Sequence, residues 1–197
     1  MKIGVLGGSF NPPHFMHLKI AKSLIENHYV EKVIFVPTGM KYEYKNNLLP
    51  NEDRYKMLQL LIKNEKNMDI STNEFQDQAV YTYQTLDYLK EKYPNDEVLF
   101  ICGTDNLSYL DKWKEAEYLM SHNKFIIIKR DTNPIEPLLE KFKEYKDHFI
   151  ETNIIPDGMS STWIREQIKE GKFDSLKEYV PEEIVNYIKE NNLYQES

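Results

Sequence analysis

Four short apolar runs constrain this chain most: Ile3 to Leu6, Val33 to Val36, Val98 to Cys102 and Phe125 to Ile128. Each has the length and β-branched content of a strand buried on both faces, which is how parallel strands read. Between them lie amphipathic stretches, Leu18 to Glu26, Glu52 to Lys63 and Thr82 to Lys92, whose apolar residues recur at three and four. Tyr55, Leu58 and Ile62 form one such stripe. Alternating strand and helix predicts a doubly wound parallel α/β sheet. Met68 to Thr72 and Phe149 to Ile154 are weaker strand candidates, the second followed by the turn signal Pro156-Asp157-Gly158. Beyond it only helices are expected, Thr162 to Lys169 and Pro181 to Asn191, the latter with Pro181 at a first-turn position.

A chain of 197 residues, 41% of them hydrophobic, can bury the core of such a sheet as one domain, 1–197, with a small helical C-terminal part from about residue 160. The formal charge of −7 argues against a protein that holds nucleic acid along its phosphates, so an anionic substrate must be met locally. Cys102 is the sole cysteine, which excludes an intramolecular disulfide framework and points to a reducing, cytoplasmic setting. Met1 to Ser9 is far shorter than a signal peptide, and no run approaches 18 apolar residues, so neither secretion nor a membrane span is expected. The fourteen tyrosines serve a core or a homo-oligomer interface equally well. The longest loop, Pro37 to Pro50, is of a size more often functional than idle.

The first strand runs into Gly7-Gly8-Ser9-Phe10-Asn11-Pro12-Pro13-His14-Phe15-Met16-His17 before an amphipathic helix begins. Glycines at a strand's carboxyl end let backbone N–H groups approach a phosphate, and the helix N-terminus that follows favours an anion. This is neither a P-loop, which needs Gly-Lys-Ser/Thr, nor the dinucleotide fingerprint. His14 and His17, three apart at the helix entrance, can both point at one phosphate chain. A zinc site is the poorer reading, because no clustered third ligand is evident.

Near the other end, Ser160, Ser161 and Thr162 stand at a predicted helix start, followed by Trp163, Ile164 and Arg165. The hydroxyls are ordinary N-cap chemistry, but Arg165 puts a cation where the helix dipole disfavours one, a conflict that a bound anion resolves. In the middle, the strand Val98 to Cys102 ends in Gly103-Thr104-Asp105, where Asp105 either caps the next helix or meets a ligand.

Gly8, Phe10, Pro12, His14 and His17 resemble the G-x-F-x-P-x-H-x-x-H signature of the nucleotidylyltransferase superfamily, with Met16 where a glycine usually stands. Met159 to Arg165 is similar to that superfamily's I-S-S-T-x-x-R motif. Gly103-x-Asp105 followed by Leu110 and Trp113, together with Tyr81-Thr82-Tyr83-Gln84-Thr85, resembles bacterial nicotinate-nucleotide adenylyltransferases. The resemblance covers nearly the whole chain and implies a Rossmann-like fold. It implies an ATP site on Gly7, Gly8, Ser9, Phe10, His14, His17, Gly103, Asp105, Ser160, Ser161, Thr162 and Arg165, with the two histidines and Arg165 as catalytic groups. It further implies that Trp113 stacks on the pyridine ring and that backbone amides near Thr82 and Tyr83 receive the nicotinate carboxylate. The family's loop lysine corresponds to Lys41 or Lys45.

The expected reaction is in-line attack of the nicotinate mononucleotide phosphate on the α-phosphorus of ATP, giving nicotinate adenine dinucleotide and pyrophosphate. Catalysis of that kind is positioning and charge stabilisation, with Mg²⁺ carried on substrate phosphates rather than in a protein cage. Two alternatives stand beside it: the same fold acting on another phosphate acceptor such as phosphopantetheine, and a non-catalytic nucleotide-binding regulator. Trp113 and the Tyr81 to Thr85 segment count against the first; Met16, and Thr38-Gly39-Met40-Lys41-Tyr42-Glu43-Tyr44-Lys45 where the family usually carries Pro-Pro-His-Lys, are what would favour the second.

Overall fold

In a strand, successive side chains point to opposite faces, so an unbroken apolar run must be covered on both sides. The computed structural model, which describes residues 1–40, 47–130 and 134–195, has this arrangement. The strands are β1 (Lys2–Gly8), β2 (Lys32–Pro37), β3 (Met68–Ile70), β4 (Glu97–Gly103), β5 (Lys124–Ile128) and β6 (Phe149–Glu151). Among the described residues they form one sheet in the order β3-β2-β1-β4-β5-β6, every pair parallel. Val33, Phe35, Leu99, Ile101, Ile126 and Ile128 face one buried cluster. Their alternates Ile34, Val36, Val98, Phe100, Phe125 and Ile127 face the other.

Helices α1 (Phe15–Glu26), α2 (Asn51–Ile62), α7 (Ser161–Lys169) and α8 (Glu182–Glu190) cover the first face. Helices α3 (Thr82–Lys92), α5 (Ala116–His122) and α6 (Ile135–Lys141) cover the second, and the single-turn α4 (Thr104–Leu107) follows β4 directly. The chain winds outward through β2 and β3 on one side of β1, then through β4, β5 and β6 on the other. The crevice between the carboxyl ends of β1 and β4 is therefore the switch point where ligands of doubly wound sheets sit. No helix among the described residues is long and apolar enough to cross a membrane.

Several boundaries depart from expectation. Helix α1 starts at Phe15 rather than Leu18, because His14 serves as its N-cap. The sixth strand stops at Glu151 rather than Ile154, and Thr152 then donates its hydroxyl to the Ile127 carbonyl at 2.7 Å. Pro181 is the cap residue of α8 and not part of its first turn. The short helices α4, α5 and α6 were not expected, since four to seven residues carry too little periodicity to register.

The buried stripe of α2 is Arg54, Met57, Leu58, Leu61 and Ile62, so Leu58 and Ile62 are buried as expected while Tyr55 is only half-buried. Arg54 occupies a fully buried position because its donors are met by oxygen. Nε donates to the Leu49 carbonyl at 2.8 Å, Nη1 to the Ser9 carbonyl at 3.0 Å and Nη2 to Asn51 Oδ1 at 2.8 Å. Burial pulls its pKa down to about 10, still far above neutrality.

Candidate active site

The backbone leaves β1 at Gly8 and turns through Ser9 to Pro13 under α1. A Cβ on Gly8 would lie 3.3 Å from the Phe10 ring, close enough that the ring would have to give by a few tenths of an ångström. Phe10 is buried, packed edge-on against His17 and Phe35 with centroids 4.9 and 5.7 Å away, so its ring belongs to the core and only its backbone can face a ligand. Met16 is likewise buried in the core on the α1 side. The residue standing in place of the usual glycine therefore fills core space.

The two histidines are held by the helix start itself. The Met16 N–H donates to His14 Nδ1 at 3.3 Å, and the His14 N–H donates to His17 Nδ1 at 3.1 Å. Each bond makes Nδ1 an acceptor, which assigns the proton of each neutral ring to Nε2. The rings lie 3.9 Å apart. Burial is the main cause holding His14 down to about 4, with the Arg130 cation adding to it. His17 is pushed well below its ordinary value by burial, then by His14 and Arg130. The pair thus offers two neutral N–H donors, and a bound polyanion would draw their pKa values back up.

At the far end of the chain, Ser160 is the N-cap of α7 and accepts from the Trp163 N–H at 3.3 Å. With the cap there, Arg165 is the fifth helical residue, one position further in than in the expected helix Thr162 to Lys169. Its Nη1 donates to the Asn11 carbonyl at 2.8 Å and its Nη2 to Thr162 Oγ1 at 3.3 Å, so part of its charge is met by protein. Ser161 Oγ donates to the Pro12 carbonyl at 3.0 Å. Two segments 149 residues apart in sequence are bonded side by side, and the N-termini of α1 and α7 share one neighbourhood.

Gly103 caps α4, and a Cβ there would collide with Asp105 Oδ1 and come within 3.0 Å of Arg130 Cδ. Asp105 does not cap the helix. Its Oδ1 is buried without a hydrogen-bond partner among the described residues, as is Nε of Arg130. Arg130, just beyond β5, was missed in the sequence. Its backbone is pinned by Thr104, whose hydroxyl donates to the Arg130 carbonyl at 2.6 Å and accepts from the Arg130 N–H at 2.9 Å.

Beside this lies a cavity of about 890 Å³, reaching from Gly7, Gly8 and Thr38 to Tyr81, Thr82, Phe100 and Trp113. Trp113 follows a 3₁₀ turn, Leu110–Lys112, and stands edge-on against Phe100 at 5.9 Å, half-buried. Thr82 and Tyr83 are the first two residues of α3, where N–H groups have no partner within a helix. The Tyr83 ring itself turns away, toward Tyr118 at 6.0 Å. Lys112 and Lys114, which flank the tryptophan and line the same cavity, were also missed; two lysines around a tryptophan in a polar stretch were the available signal. Lys41 and Lys45 lie outside the described residues.

The cytidylyltransferase-like family model matches residues 5–167. A protein of Lachnoclostridium phytofermentans is 33% identical over 199 residues, covering 98% of each chain. One of Clostridium botulinum is 36% identical over 200 residues, covering 97% of this chain and 98% of its own. Both are named "probable nicotinate-nucleotide adenylyltransferase". Among solved structures, the nicotinic acid mononucleotide adenylyltransferase of Plasmodium falciparum, complexed with NaAD, superposes with a TM-score of 0.81. It is 24% identical over 98% of this chain and 97% of that one, a likeness of fold. A sheet with its crevice between β1 and β4, two bonded helix N-termini there and relatives matched from end to end place the chain in the cytidylyltransferase-like family, among its nicotinate-nucleotide adenylyltransferases.

Proposed function

We propose that this enzyme transfers AMP from ATP to nicotinate mononucleotide, releasing pyrophosphate and forming nicotinate adenine dinucleotide, in the cytoplasm, as a step of NAD biosynthesis. The observation that carries the reading is the bonded pair of helix N-termini, α1 with its two Nε2–H donors and α7 with Ser160, Ser161, Thr162 and Arg165. A triphosphate laid across them meets backbone amides, two imidazole donors and a guanidinium. An oxygen of the mononucleotide phosphate attacks the α-phosphorus, and the bond to the β-phosphate bridging oxygen breaks, its electrons leaving with pyrophosphate. No side chain acts as nucleophile. The protein positions the two reactants and stabilises charge spread over the phosphates.

Mg²⁺ enters with ATP as part of the co-substrate. The residues facing the phosphate site are donors and cations, a set that meets phosphate oxygens and not the ion. Asp105, with its unpartnered carboxylate oxygen, is suited to a hydroxyl of the adenosine ribose. Trp113 offers the pyridine ring a stacking face, and the N–H groups at the start of α3 suit the nicotinate carboxylate.

That pocket also sets the choice of acceptor. A carboxylate accepts at both oxygens, whereas the nicotinamide amide would turn an NH₂ toward N–H donors, a mismatch costing about 1–3 kcal/mol. Nicotinate mononucleotide is therefore preferred by about 10-fold or more in kcat/KM. Trp113→Ala weakens both acceptors and leaves most of their ratio. Incubation with ATP, Mg²⁺ and a panel of phosphate acceptors, with product masses recorded, tests the reading. A product formed only from phosphopantetheine, or none at all, would overturn it.

A further inference from the structure

Three carbonyls along the turn that follows β1 are tied to distant parts of the chain. Ser9 O accepts from Arg54, Asn11 O from Arg165 and Pro12 O from Ser161. The Asn11 side chain, on a residue only 5% exposed, is held as tightly: Nδ2 donates to the Asn47 carbonyl at 2.9 Å, and Oδ1 accepts from the Leu49 N–H at 3.3 Å. Because the Leu49 N–H can only donate, the orientation of the Asn11 amide is settled.

The remaining partner of Oδ1 comes from the last turn of the chain. Tyr194 donates its hydroxyl to it at 2.6 Å, across 183 residues of sequence. The backbone reaches this point through two left-handed residues, Asn192 at φ 51° and Tyr194 itself at φ 60°, a conformation that costs a tyrosine about 1 kcal/mol or more. Burial holds the phenol well above its ordinary pKa, so it stays a donor at any working pH. A strained backbone, a short bond and a polar group taken out of water all converge on one amide beside the phosphate turn.

We propose that Tyr194 is a positioning residue for adenylyl transfer, its hydroxyl locking Asn11 so that the Ser9 to Pro12 turn stays in register with Arg165 and the N-terminus of α7. The inference rests on the adenylyltransferase reading of the site. Tyr194 does not line the cavity beside Trp113, and its hydroxyl is bonded to Asn11, so it acts through that amide. Without the hydroxyl, the ring still packs while the amide loses an acceptor bond and the turn gains freedom. Displacing reacting groups by a fraction of an ångström is felt chiefly in turnover.

The test compares wild type with Tyr194→Phe, Asn11→Ser and the double variant. The quantities are kcat and KM with ATP and nicotinate mononucleotide, and the melting temperature without ligand. Wild-type turnover establishes the underlying reaction independently of the variants. Tyr194→Phe is expected to lower kcat about 5- to 20-fold with KM for each substrate within about 2-fold. Its melting temperature should lie within about 3 °C of wild type, as for one lost hydrogen bond in a domain of this size. Added to Asn11→Ser it should cost little more, because both changes remove the same lock. An unchanged kcat in Tyr194→Phe, or a loss that multiplies in full with that of Asn11→Ser, overturns the proposal.

Discussion

At the scale of single residues, His14 and His17 combine two duties that usually fall to different side chains. Each Nδ1 satisfies a backbone N–H at the start of α1, and each Nε2–H is left to serve the proposed phosphate site. Replacing His14 by alanine should cost about 1 kcal/mol of stability through the lost cap. Turnover should fall by about 100-fold or more through the lost donor. Steady-state kinetics beside a urea melt separates these effects, and near-normal turnover would remove the residue from the site. The pKa of His14, about 4 in the folded chain against an ordinary 6.5, carries a second consequence. Between those values the unfolded chain binds the proton and the folded one does not, so stability rises with pH there. The contribution of neutral His14 is complete above about pH 6.5 and is lost as the pH falls toward 4. Urea melts at pH 7 and pH 5 should show a smaller difference for His14→Ala than for wild type.

At the scale of elements, the strands were legible because runs such as Val33 to Val36 are apolar on both faces, and only a covered parallel strand uses that pattern. The start of α1 was displaced in the sequence because histidine is not a common cap, and backbone chemistry rather than the apolar stripe sets that boundary. Arg54 broke the stripe of α2 because its partners, Leu49, Ser9 and Asn51, are assembled only by the fold. The two segments that meet at the crevice, 7–17 and 160–165, stood out by glycine, histidine and hydroxyl spacing. Arg130 did not, since nothing in its own neighbourhood marks it, and only the return of β5 beside β4 brings it to Gly103 and Asp105. That juncture makes a prediction at this scale. Gly103→Ala should displace the Asp105 carboxylate or the Arg130 side chain, raising KM for ATP about 10-fold or more. Isothermal titration with ATP alone is the check, and unaltered affinity would mean that neither group meets the nucleotide.

At the scale of the whole molecule, the site is a closure between the two ends of the chain. Ser161 with Pro12 and Arg165 with Asn11 are the bonds that fasten α7 to the turn after β1, and both lie at the sheet's carboxyl edge where ATP is proposed to sit. A triphosphate spanning both helix N-termini adds contacts across the same seam. Unfolding must separate these two segments, so ligand bound there stabilises the folded chain by mass action, about 2.7 kcal/mol at 100 times its dissociation constant. For about 200 residues that amounts to a rise of about 5–10 °C in melting temperature. Arg165→Ala removes one fastening and one phosphate partner together. The variant should melt a few degrees lower without ligand and should gain much less than wild type from the same ATP concentration. Nicotinate mononucleotide, proposed to meet α3 and Trp113 instead, should stabilise wild type and Arg165→Ala by nearly equal amounts. Thermal melts of both proteins with each nucleotide in turn decide the matter: if the ATP-dependent shift survives intact in Arg165→Ala, the triphosphate does not bridge the two ends.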